Sequence, residues 1–172
     1  KTFAGTVGAT NGLDTITVGS ATDDAGAIFN LTVKATTINV QSGEANNENS
    51  EVTFNEDVTG AITLSTGADA GSDAIANFAA SVAGVGASGA ITTSAATGNQ
   101  SFINIVDSAT GAAAIQTFTG QIGTSAKKIG TISVGAVGGN AGLATFNENV
   151  FATNLKISAD DGGNEISSVV FV

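Results

Sequence analysis

A chain of 172 residues is long enough for one hydrophobic core, and a hydrophobic share of 42% excludes the disordered class despite the many Gly, Ser, Thr and Asn. Fifteen acidic side chains against five lysines leave a formal charge of −10, which opposes nucleic acid and anionic membrane as partners. With no Cys and no His, the chain has no disulfides, no Ser-His or Cys-His catalytic pair and few routes to zinc.

The 23 Gly fall between Val-, Ile- and Thr-rich segments, where turn residues belong, and the absence of Pro leaves every strand free to pair. In chain order, residues 3–7 read as a short strand, 9–12 as a turn and 13–18 as a second strand with Ile16 and Val18 on one face. Residues 20–26, with Asp23 and Asp24, read as an exposed loop, after which 28–33 and 37–40 resume the alternation. The stretch 42–50, SGEANNENS, is the most polar and is expected to be an outer loop or elaborated corner, not core.

Residues 51–69, EVTFNEDVTGAITLSTGAD, hold most of one repeating unit: a short strand in which Val52 and Phe54 share a face, a turn at Asn55, a second strand with Ile62 and Leu64 inward, and a Gly turn. An acidic turn over 67–73 follows. In 74–86, AIANFAASVAGVG, a one- or two-turn helix competes with a strand, and the period-2 pattern favours the strand. Strands are expected at 90–93, 101–106, 116–122 and 129–134, with a turn or short helix at 107–114 and a polar turn at 125–128. Residues 143–161, LATFNENVFATNLKISADD, repeat the central unit, and 166–172 are strongly strand-forming. That last segment is too apolar for an exposed edge and is expected to meet another coil, a partner or further residues.

Two more echoes support a repeat: residues 2–8, TFAGTVG, with 117–123, TFTGQIG, and 16–19, ITVG, with 132–135, ISVG. Phe3, Phe29, Phe54, Phe78 and Phe102 lie 26, 25, 24 and 24 residues apart, and Phe146 and Phe171 lie 25 apart, with Phe118 and Phe151 off this grid. Units that cannot bury their own apolar faces bury them by stacking. The period predicts a right-handed parallel β-helix of about seven coils, a single solenoid domain over 1–172, spanning roughly 34 Å at the usual strand spacing. An antiparallel β-sandwich stalk module also fits the length, but it does not require matching residues at a fixed period.

Hard oxygen donors meet tight turns at Asp23 and Asp24, at Asp69 and Asp73, and at Asp160, Asp161, Asn164 and Glu165, which makes calcium the leading candidate ligand. None follows the EF-hand order, and solvated turn acids are the favoured reading, with a calcium site as the alternative. The best set is Asp160 and Asp161 with Glu165, because Gly162 and Gly163 let the chain curl around an ion. Catalysis by paired carboxylates needs them together in a groove, and the chain has no Trp, Tyr or Arg to hold a sugar, so no catalytic or cofactor-binding residue is assigned and no enzyme is expected. Asn30, Asn55 and Asn147 each follow a Phe, and in-register coils would stack their amides at one corner. The glycosylation patterns at Asn30 and Asn99 are no more frequent than this composition predicts, the Gly84–Gly89 run reads as a corner, and Lys127 with Lys128 is an isolated basic spot.

VTFNEDVTGAITLSTG (52–67) and ATFNENVFATNLKIS (144–158), with the low aromatic and high Gly, Ala, Asn and Thr content, resemble passenger regions of autotransporter-type and rickettsial-type outer-membrane surface antigens, and the style is similar to S-layer proteins too. The resemblance implies secretion and an extracellular, cell-surface role in adhesion or a coat, with protein, glycan or copies of the chain as partners. It implies a segment of a longer surface protein that does not itself insert in the membrane, and it transfers no catalytic residue. A self-assembling S-layer or filament subunit and a carbohydrate-binding or carbohydrate-cleaving β-helix are the alternative functions.

Overall fold

The computed structural model of the chain describes residues 1–43, 49–67, 71–79, 84–94, 100–106, 115–135, 141–158 and 166–172. Within them lie fifteen strands and no helix: β1 (Thr2–Phe3), β2 (Leu13–Val18), β3 (Gly26–Phe29), β4 (Val33–Ser42), β5 (Ser50–Phe54), β6 (Val58–Thr66), β7 (Ala74–Phe78), β8 (Gly84–Ala87), β9 (Ile91–Thr93), β10 (Ser101–Ile105), β11 (Ile115–Phe118), β12 (Ile129–Val134), β13 (Leu143–Phe146), β14 (Ala152–Ile157) and β15 (Ser168–Phe171). Every strand pair is parallel. That pairing removes the sandwich alternative and makes the chain a β-solenoid. The segment 74–86, where a helix competes, opens as β7, whose inward residues Ala74, Ala76 and Phe78 alternate with outward Ile75 and Asn77, and closes in β8.

Three sheets form the walls. The first runs β1-β3-β5-β7-β10-β12-β14, the second β2-β4-β6-β9 and the third β8-β11-β13-β15. Isolated bridges Ile91–Ile122 and Ile122–Val150 extend the second. Fifteen strands shared among three faces amount to about five turns, fewer than the seven coils expected, because only the first sheet carries seven strands and the others carry four each.

Register turns the period-2 pattern into columns. Ile16, Ile38, Ile62, Ile91, Ile122 and Val150 stand one above another, and so do Ala27, Val52, Ala76, Ile103, Ile132 and Leu155. Each inward side chain lies against the coils on either side of it, so the core is a continuous narrow strip. In β4 the buried positions are Val33 and Ala35, then Ile38, Val40 and Ser42. The parity flips where the register against β6 shifts between Lys34 and Thr37, so one strand turns a corner by a single extra residue.

The Phe column is the longest of these strips and differs from the expected grid. Rings of Phe3, Phe29, Phe54, Phe78, Phe118, Phe146 and Phe171 follow one another at 4.9 to 5.7 Å between centroids. Phe102 is not among them. Its strand β10 pairs Phe102 with outward-facing Ile75, so Ile103 and Ile105 take the interior and Phe102 is half-buried outside. The column moves instead from the end of β7 in the first sheet to the end of β11 in the third. There the two rings meet edge to face, at an interplanar angle of 86°.

The short echoes mark matching corners. Gly19 and Gly135, the last residues of ITVG and ISVG, have φ near +80° and +77°, and a Cβ on either would overlap a backbone carbonyl and the hydroxyl of Ser50 or Ser167. Those serines are buried inter-coil links. Ser50 Oγ accepts from Ala25 N–H, Ser101 Oγ from Gly130 N–H and Ser167 Oγ from Gly142 N–H, each at 3.1 Å. The polar stretch 42–50 is therefore not wholly external, since Ser42, Gly43 and Ser50 are buried.

Both terminal coils have one open face. β14 and β15 end their sheets with Ile157 and Phe171 more than half exposed, and Phe3 and Leu13 are about 40% exposed at the other end. The 166–172 segment thus forms the edge that its composition argues against, with no coil beyond it among the described residues. No described helix is long and apolar enough to cross a membrane.

Candidate functional site

Of the acidic candidates, Asp23, Asp24 and Asp73 are described, while Asp69, Asp160, Asp161, Asn164 and Glu165 lie outside the described residues. Asp24 occupies the corner entering β3. Its Oδ1 accepts from Ser42 Oγ at 2.8 Å, Gly43 N–H at 2.8 Å and Ser50 Oγ at 3.3 Å. One carboxylate oxygen therefore gathers three donors from the next coil, which explains why the ends of the 42–50 stretch are drawn inward. Asp23 is exposed and turned the other way, with Oδ2 accepting from Thr22 Oγ1 at 3.1 Å, while its N–H donates to Ser20 Oγ at 3.0 Å in a local turn.

Asp73 enters β7 at the same corner, two coils from Asp24 and so about 10 Å away along the stack. Asn49 lies between them: its Oδ1 accepts from Asp73 N–H at 3.0 Å, and Ser50 N–H donates to Asp73 O at 3.0 Å. Burial raises the Asp73 pKa above the ordinary carboxylate range. The corner thus alternates carboxylate and amide, and it does not bring Asp24 and Asp73 into one coordination shell. Among the described residues no three His, Cys, Asp or Glu side chains converge as a metal site would require.

The chain matches no protein-family model, no curated protein and no solved structure.

The Asn corner forms in part. Asn55 Nδ2 donates to Asn30 Oδ1 at 3.0 Å, one coil apart, as the FN spacing predicts. Asn147 follows Phe146 on the third sheet, above Thr119 rather than above Asn55, because the Phe column has changed faces by then. A second amide ladder, on the outer face of the first sheet, escapes the sequence reading. Asn104 Nδ2 donates to Asn77 Oδ1 at 2.9 Å, and Asn77 Nδ2 donates to Thr53 Oγ1 at 3.3 Å and to the Glu51 carboxylate. The 27-residue spacing of Asn77 and Asn104 was the available signal, but neither follows its Phe.

Above that ladder the column continues through Ser133 to Lys156. Together with Val106, Gly135 and Ser158 on the neighbouring column, these residues line an open groove of about 440 Å³. A second, apolar cavity of about 390 Å³ is the open end of the first coil, bounded by Phe3, Val7, Ile16, Val18 and Phe29.

Proposed function

We propose that this chain is a non-enzymatic structural or adhesion module of an extracellular cell-surface protein, a stiff rod whose lateral faces meet protein or glycan. The observation that carries the reading is axial continuity: one parallel sheet of seven strands and one column of seven Phe rings run from the first coil to the last. Bending or stretching such a stack opens ladder hydrogen bonds and ring contacts together, so stiffness follows from the way the core is built. The surface setting rests on the resemblance of residues 52–67 and 144–158 to passenger regions. The net charge of −10 keeps neighbouring rods apart in solution.

The test is cell adhesion by the parent protein with this segment deleted, or replaced by an unrelated rigid spacer of equal length. Adhesion lost on deletion and not restored by the spacer supports a binding rod, and restoration by the spacer supports a purely structural one. Unchanged adhesion and unchanged surface architecture after deletion would refute both forms, and turnover of a polysaccharide by the isolated chain would refute the non-enzymatic reading.

A second reading, a self-assembling S-layer or filament subunit, is favoured by the open faces of both terminal coils, where Phe3 and Phe171 are the exposed members of an otherwise buried column. Electron microscopy of the native particle separates the two. End coils covered by neighbouring molecules establish assembly, whereas end coils covered by the same polypeptide establish the rod.

A further inference from the structure

We propose that the outer face of the seven-stranded sheet binds a linear saccharide bearing a carboxylate, in the groove formed by Asn77, Asn104, Ser133 and Lys156 on one column and Val106, Gly135 and Ser158 on the next. The proposal deepens the adhesion reading and rests on it.

Three observations point there. The groove follows the solenoid axis over four consecutive strands, β7, β10, β12 and β14, about 14 Å from first to last rung, which is the shape of a site for a short chain of sugars. Its polar groups are both organised and unused. Asn77 is held by Thr53 and Glu51 and in turn holds Asn104, whose Oδ1 remains available as an acceptor, and the side chains of Ser133, Lys156 and Ser158 make no hydrogen bond or ion pair to any described residue. Lys156 is also one of only five cations in a chain of net charge −10, yet among the described residues it stands with amides and hydroxyls rather than beside an acid. An acid group on the ligand supplies the partner that the described residues withhold.

Hydroxyls that donate and accept suit the mixed Asn and Ser lining, and Val106 offers an apolar contact for the C–H face of a ring. An extended peptide would instead add to a sheet edge, where backbone groups are unpaired. Here β7, β10 and β12 are paired on both sides, only the last rung, β14, has an open edge, and the open functions along the groove belong to side chains on the face. Gly135 contributes no side chain, which leaves the groove open beside Ser133 and Ser158.

The test is titration calorimetry of the whole chain with a hexameric oligogalacturonate and with neutral cellohexaose as the comparison. Saturable binding of the acidic sugar, at least tenfold weaker binding of the neutral one, a tenfold or greater loss for Lys156→Gln, abolition by Ser133→Leu and no change for Lys127→Gln are expected. No saturable binding of either sugar, or binding indifferent to both Lys156→Gln and Ser133→Leu, overturns the proposal. So does a groove that takes an extended peptide and no saccharide. The adhesion reading is separable: adhesion that needs the segment but survives Ser133→Leu removes the groove and leaves the rod, whereas groove binding by a segment dispensable for adhesion leaves the site and removes the adhesive role.

Discussion

Phe118 and Phe102 exchange the roles that their spacing assigns them, and truncating each in turn tests the solenoid's register. Phe118 is 1% exposed, with Phe78 at 4.9 Å edge to face and Phe146 at 5.2 Å. Removing a buried Phe side chain costs about 3–5 kcal/mol from lost transfer energy and the cavity left behind. The two ring contacts, each worth about 0.5–1.5 kcal/mol beyond area, place Phe118→Ala toward the upper end of that range. Phe102 is half-buried on the outer face and belongs to no ring pair, so Phe102→Ala should cost about 1 kcal/mol, a fraction of full burial. The assay is urea unfolding followed by far-ultraviolet circular dichroism, since there is no Trp or Tyr to report by fluorescence. Slopes must be compared as well as midpoints, because a stacked array can lose coils separately. Equal losses for the two variants, or a greater loss for Phe102→Ala, would refute the register and with it the passage of the Phe column from the first sheet to the third.

Gly86 lies under the Phe118 ring, where an added Cβ would come within 2.7 Å of Cζ. Gly86→Ala should therefore cost about 1–3 kcal/mol alone and less in the Phe118→Ala background, a coupling that a double-mutant cycle of urea midpoints measures. Ser50→Ala should cost about 1–3 kcal/mol, because it leaves the Ala25 N–H without its acceptor and takes one donor from Asp24; a loss below about 0.5 kcal/mol in the same assay would show that the inter-coil link is idle. Burial raises the Asp73 pKa, so the folded chain binds that proton more readily than the unfolded one, and stability falls as pH rises from the ordinary carboxylate range through the folded pKa. Asp73→Asn should accordingly raise Tm at neutral pH, with the gain vanishing below the ordinary Asp pKa, and a lower Tm at neutral pH would mean that the carboxylate is held by a favourable partner. For calcium, melting with and without the ion should show no rise in Tm that Asp24→Ala removes, given that Asp24 Oδ1 already accepts from Ser42, Gly43 and Ser50.

Much of the architecture was legible in the residues because a solenoid writes its core locally. Inward Val, Ile and Phe alternate within each strand, and stacking demands that similar residues recur, so VTFNEDV and ATFNENV each announce a strand ending in an inward Phe and a following corner, although β5 lies in the first sheet and β13 in the third. The ITVG and ISVG echoes proved to be corners of one kind, with glycines at nearly the same positive φ. The candidate site was less legible. Asp24 reads as a loop acid until Ser42, Gly43 and Ser50 are brought to it from 18 to 26 residues away, a convergence set by how the coils stack. Asn77 and Asn104 carried their spacing openly, but only the pairing of β7 with β10 shows that they share an outer column.

Residue patterning alone determined an all-β chain with Gly and some of its Asn at corners, because strand alternation and turn chemistry act within a few residues, and its repeat period pointed to a stacked parallel array. The tertiary structure alone decided which Phe joins the column. A ruler of 24 to 26 residues counts Phe102 in and Phe118 out, yet the interior admits only side chains whose parity in their own strand points inward. That parity is set by the register of β10 on β7 and of β11 on β8, a long-range pairing that no window of sequence contains.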